Sequence, residues 1–89
     1  MRLELTRGAS RDLVRLRDFI AQHDPSAAAK VGRRLARAIR FLRDQPGLGQ
    51  AVEDLPGVRQ LVAGECVIRY TAREDTVVIL RVWHGRESR

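Results

Sequence analysis

Eighty-nine residues, 44% hydrophobic and 31% charged, describe one globular domain, too apolar for a disordered chain and too short for a second core. Seventeen basic against eleven acidic residues give a formal charge of +6 and a pI near 11.2, so the expected partner is anionic: nucleic acid, an acidic peptide or an acidic protein surface. The single Cys66 excludes an internal disulfide and a cysteine-based zinc site, and no apolar run approaches a signal peptide or a membrane span.

No metal and no cofactor is expected, because His23 and His84 stand far apart and Cys66 has no companion. The expected location is cytoplasmic. Sixteen of the basic residues are Arg, with Lys30 the exception. Guanidinium forks suit carboxylates and phosphates. An Arg bias also follows from a GC-rich genome, so the net charge is the firmer evidence. A core this small buries only roughly 60–65% of the unfolded surface, and a bound partner would add stability.

In chain order, Leu3 and Leu5 alternate with Arg2, Glu4 and Thr6, which predicts a short strand with one buried face. Thr6 or Ser10 is placed to cap a helix over 9–23, where Leu13, Leu16 and Ile20 make the apolar stripe and Phe19 flanks it. Asp24-Pro25 ends that helix and starts another, with Asp24 as cap and Pro25 at the first helical position. From Ser26 to about Arg43, Ala28, Val31, Leu35, Ala38 and Leu42 form one stripe with Ile39 beside it. Two helices joined this tightly predict a hairpin.

Residues 46–57 carry two Pro-Gly pairs and read as an exposed connector. Val58–Ala63, Cys66–Ala72 and Thr76–His84 then predict a three-stranded meander, antiparallel because the turns are too short for crossovers. The expected class is α+β in the order β-α-α-β-β-β, with the hairpin on one face of an antiparallel sheet. In the last strand Val78, Leu80 and Val82 share one face, expected to meet the helices. Val77, Ile79, Arg81 and Trp83 share the other.

The chemistry-bearing groups are few. Lys30, Arg33, Arg37 and Arg40 recur at three- and four-residue steps opposite the apolar stripe of the second helix. Such a ridge suits an anionic partner, and it equally suits a plain solvated face. Both Phe residues read as core, which leaves Tyr70 and Trp83 as aromatics and too little for a base-stacking platform. No nucleic-acid-binding module is evident, and sequence-specific DNA binding is not expected. None of the serines lies in a nucleophile motif, and Cys66 reads as a small buried hydrophobe. His84, at the end of a strand beside Gly85 and Arg86, is the best acid–base candidate, though one His does not make a site.

The segment from Gly57 onward resembles the closing meander of RelE/ParE-type bacterial toxins. The likeness rests on Gly57-Val58-Arg59, on Ile68-Arg69-Tyr70 and on the run Val78 to Arg86. Asp24-Pro25, the Ala-rich helix and the Pro-Gly stop also fit, so it covers essentially the whole chain. The resemblance implies a type II toxin neutralised by a cognate acidic antitoxin that lies along its surface by helix and strand contacts, with the ridge Lys30, Arg33, Arg37 and Arg40 and the last strands expected to be contacted. One branch of the family cleaves mRNA on the ribosome; the other inhibits DNA gyrase.

The ribonuclease branch carries a Lys on the second strand, an Arg early in the third and an Arg after the fourth, with a Tyr in a C-terminal helix. Here those places hold Val58 and Gln60, Val67 and Glu87, and no such helix follows before Arg89. Val cannot neutralise a phosphorane, and Glu87 repels one. The resemblance therefore implies a ParE-like gyrase or topoisomerase inhibitor that is not expected to be an enzyme, contacting its target through Arg59, Arg69, Arg81, Trp83, His84 and Arg86. The alternatives are a RelE-like ribosome-dependent endoribonuclease, for which His84, Arg86 and Arg59 are the residues left, and a non-toxic antitoxin-binding module.

Overall fold

The computed structural model describes residues 1–87. The place of the helix sought after Glu87 lies outside them. Strand β1 (Arg2–Leu5) leads into helices α1 (Arg7–His23) and α2 (Pro25–Asp44). A two-residue strand β2 (Gln50–Ala51) precedes β3 (Val58–Ala63), β4 (Cys66–Arg73) and β5 (Thr76–His84). The sheet order is β1-β5-β4-β3-β2.

The meander is antiparallel as expected, but the sheet is mixed, because β1 runs parallel to β5 from Arg2↔Thr76 to Leu5↔Ile79. The connector contributes β2, antiparallel to β3 through Gln50↔Gln60 and Ala51↔Arg59.

Both helix starts follow from their caps. The Thr6 hydroxyl accepts the Ala9 N–H at 3.0 Å, which settles the choice against Ser10. The Asp24 carboxylate accepts from the N–H groups of Ser26 (3.1 Å) and Ala27 (3.3 Å), and Pro25 fills the first helical position, where an N–H would have no partner. Leu16 and Ile20 of α1, Leu35, Ile39 and Leu42 of α2, and Ile68, Tyr70, Val77, Ile79 and Val82 of the sheet form one core. α1 lies against β5, while α2 packs mainly on α1.

Two expectations are corrected. Phe41 is 51% exposed and not in the core, whereas Phe19 packs against it. In β5 the buried set is Val77, Ile79, Val82 and His84, so neither of the two predicted faces survives intact. The reason is a β-bulge. Arg69 pairs with Arg81 but Tyr70 pairs with Ile79, which leaves Leu80 as the extra residue and inverts the alternation beyond it.

The tight loops need unusual backbone at one notable point. Gly64, at φ +65°, closes the β3–β4 turn with the Arg34 guanidinium folded so close that a Cβ there would stand 2.6 Å from Nη1.

Candidate interaction surfaces

Past Ile79, β5 keeps β4 on one side but has no strand on the β1 side, and there its backbone groups are met by side chains. The Leu80 carbonyl accepts the Thr6 hydroxyl at 2.9 Å. The Val82 N–H goes to Asp12 Oδ2 at 2.8 Å, and the Val82 carbonyl accepts Arg15 Nη2 at 3.1 Å. The His84 N–H goes to Glu87 Oε1 at 2.9 Å.

Asp12 sits at the centre of this seam, 1% exposed in the apolar stripe of α1. Burial alone would raise the pKa of its carboxyl. Hydrogen bonds from Arg81 (2.7 and 3.1 Å), from Arg15 and from the Val82 N–H outweigh that and hold it at about 2. Arg15 also forks onto Glu87, at 2.7 and 3.2 Å. Its guanidinium is driven further toward the charged form by the Glu87 and Asp12 hydrogen bonds.

His84 belongs to the same seam. The residue is 6% exposed, with its ring tilted against Phe19 at 5.7 Å between centroids. Nδ1 accepts the Arg86 N–H at 3.0 Å, so the neutral ring carries its proton on Nε2, which faces Glu65 Oε2 at 3.2 Å. Both ring nitrogens are therefore engaged within the fold.

The six residues singled out for target contact part company. Arg81 is bound to Asp12, and His84 is buried. Arg59 Nη1 donates to the Gly49 carbonyl at 2.7 Å. Arg69 donates Nε to Gln60 Oε1 at 3.0 Å and stacks over Trp83, 5.0 Å from the ring centroid. Arg86 is 79% exposed, 4.0 Å from Glu65. Arg69 and Trp83 are the pair brought together, on the sheet face that the helices leave open.

Arg59 is distant from His84 and Arg86. It pairs with Tyr70, while His84 pairs with Cys66, four residues away on β4. That spacing is about 13 Å along the strands, with about 10 Å across them.

On the helical side, Lys30, Arg33, Arg37 and Arg40 are all exposed along α2. The sequence reading missed the groove beside them. A cavity of about 770 Å³ runs between α1 and α2, lined by Leu13, Leu16, Ile39 and the small residues Ala29, Gly32 and Ala36, with Arg17 and Arg40 also on its walls. Ala29, Gly32 and Ala36 at three- and four-residue steps are the signal that could have found it. Asp12 had one too: an acid set within the stripe of Leu13, Leu16 and Ile20.

Two helices over this mixed sheet define the α+β fold of the RelE/ParE toxins. A solved structure from the chromosomal ParDE toxin–antitoxin system of P. aeruginosa superposes with a TM-score of 0.82 at 26% identity, covering 94% of this chain and 95% of that one. The fold is shared also with the conserved hypothetical protein HP0894 of Helicobacter pylori, TM-score 0.58 at 19% identity, covering 98% and 97%.

The family described as the ParE toxin of type II toxin–antitoxin system, parDE, matches residues 3–89, and the chain belongs to it. It is 35% identical over 83 residues to Toxin RelE1 of Caulobacter vibrioides, covering 91% of this chain and 89% of that protein. The chain is thus the toxin of a type II toxin–antitoxin system. Among the described residues no helix is long and apolar enough to cross a membrane.

Proposed function

We propose that this toxin is ParE-like: it acts by binding a topoisomerase, DNA gyrase first, and an acidic antitoxin neutralises it. One observation carries the reading. Among the described residues, those a nucleolytic site would need are replaced, engaged or far apart. Val58, Gln60 and Val67 stand where the ribonucleases carry Lys and Arg, and Glu87 is a carboxylate committed to Arg15 and to the His84 N–H. His84 has both nitrogens engaged, and Arg59 is too distant to share a phosphate with it. What remains on the open sheet face is the Arg69–Trp83 stack, a rigid aromatic beside a cation, which suits protein contact more than catalysis.

The antitoxin is assigned to the helical side. An amphipathic helix laid in the groove between α1 and α2 would bury its apolar face over Gly32 and Ala36 and set acidic flanks against Arg17 and Arg40. Arg33, Arg37 and Lys30 extend the positive ridge beyond it.

Purified toxin is expected to inhibit supercoiling by gyrase, with inhibition weakened by Arg69→Ala or Trp83→Ala and relieved by the antitoxin. No effect at a large excess over gyrase would count against the target. A chain harmless to growth without its antitoxin would fit a binding module that has lost toxicity.

A further inference from the structure

The exposed Phe41 changes what the outward face of α2 can hold. At steps of four, three and four residues, Lys30, Arg34, Arg37 and Phe41 fall within roughly 60° of one another about the helix axis, on a line about 17 Å long. Arg33 and Arg40 flank this line on the side of the helical groove, which Arg40 also lines. All six side chains are exposed, Phe41 by 51%.

The charge of this face is not neutralised within the fold. No acidic residue occurs between Asp24 and Asp44. Asp24 is taken up in capping α2, and Asp44 stands beside Arg43 at 3.8 Å. Among the described residues Arg33, Arg37 and Arg40 stand in no ion pair. Like charges at these spacings weaken a helix, and no carboxylate offsets them here. Arg34 alone is turned aside, folded over Gly64.

Phe41 decides which kind of anion fits. A membrane surface needs a broad apolar face, and α2 has committed its own to the core through Leu35, Ile39 and Leu42. An acidic protein segment would use the cations, but a ring standing out on a helix ridge offers no pocket for an anchor side chain. A duplex keeps its bases stacked and would leave the ring in water. A single nucleic-acid strand uses both features, with phosphates on the cations and a base face on the ring.

We propose that the outward face of α2 binds single-stranded DNA, with Lys30, Arg33, Arg37 and Arg40 on successive phosphates and Phe41 stacked on one base. These contacts go to groups that every nucleotide carries, so the binding has no sequence preference. The choice of DNA over RNA rests on the topoisomerase reading above, since such a target brings opened DNA to the toxin.

The test is fluorescence anisotropy of a labelled mixed-sequence oligodeoxynucleotide of about 12 nucleotides with the full chain, run beside the supercoiling assay. Binding in the micromolar range is expected at near-physiological salt, with log K falling against log salt at a slope of about −3 for phosphates on four cations. Phe41→Ala should weaken it about tenfold and leave the slope unchanged. Phe41→Leu, still apolar but without a ring face, should weaken it too. Arg33→Gln combined with Arg37→Gln should flatten the slope by about 1.4. Duplex of the same sequence should bind more weakly and ignore Phe41→Ala.

A single strand indifferent to Phe41→Ala would overturn the site and leave bulk charge alone. So would equal affinity for duplex, or no binding at roughly 10⁻⁴ M toxin. A preference of more than about tenfold for the matching RNA would overturn the assignment to DNA. Strand binding of the expected kind beside undisturbed supercoiling would sink the topoisomerase target and leave this site standing. Inhibition of gyrase without strand binding would do the opposite.

Discussion

The two sides of the sheet end in opposite ways. On the β5 side, Thr6, Asp12, Arg15 and Glu87 take over the backbone groups that β1 is too short to reach. On the β3 side, β2 is shorter still, yet among the described residues no side chain takes over beyond Gln60. Sealing an edge with buried charge needs several polar groups satisfied at once, because a carboxylate such as Asp12 is costly to desolvate unless each oxygen is met. The contrast separates an edge closed by side chains from an edge left open.

Asp12→Asn should break the sealed side most severely. It removes the charge that Arg15 and Arg81 share and sets an NH2 group against donors whichever way the amide turns, Arg15 and Arg81 on one side or Arg81 and the Val82 N–H on the other. The expected loss is about 3 kcal/mol, read from urea unfolding. A loss under about 1 kcal/mol would mean that the seam is ornamental.

Acid should open the same side. Because the Asp12 carboxyl is held near 2 in the folded chain, below its ordinary 3.8, its stabilisation is complete above about pH 4 and is lost as pH falls toward 2. The contribution is roughly 2 kcal/mol. Wild type should therefore destabilise more steeply than Asp12→Asn across that window.

Tyr70→Phe sharpens the other side. Loss of the hydroxyl leaves the Gly49 N–H and the Pro46 carbonyl without that partner, at about 1–2 kcal/mol. The freed connector should show faster amide exchange at Gln50 and Ala51. Smallest of all, Val62→Lys should change stability by under about 0.5 kcal/mol, since the side chain is already in water.

Sequence patterning reached the two helices, the Asp24-Pro25 junction and the three long strands, because each rests on local periodicity or a capping residue. It did not reach the face assignment of β5. Strict alternation fails at the Leu80 bulge, and a bulge is fixed by pairing with β4 and by Thr6, neither visible along the strand itself. Phe41 read as core because apolar character carries no record of which side of α2 it occupies when Arg34 and Arg37 surround it.

The candidate residues fared by the same logic. Arg69 and Trp83 come together because they are two strand positions on one face, a relation that alternation can express. Arg81 is drawn into the seam by Asp12, a partner on a distant helix, and His84 is held there by Glu65 and Glu87, contacts that strand alternation does not express. A lone buried acid in an apolar stripe was the clue, and it asks for a cationic partner without saying which.

Ribosomes programmed with a defined mRNA and incubated with the purified toxin weigh the binding mechanism against a catalytic one. The expected result is intact message at toxin concentrations that already arrest gyrase supercoiling. Discrete ribosome-dependent cleavage, abolished by His84→Ala or Arg86→Ala, would contradict it.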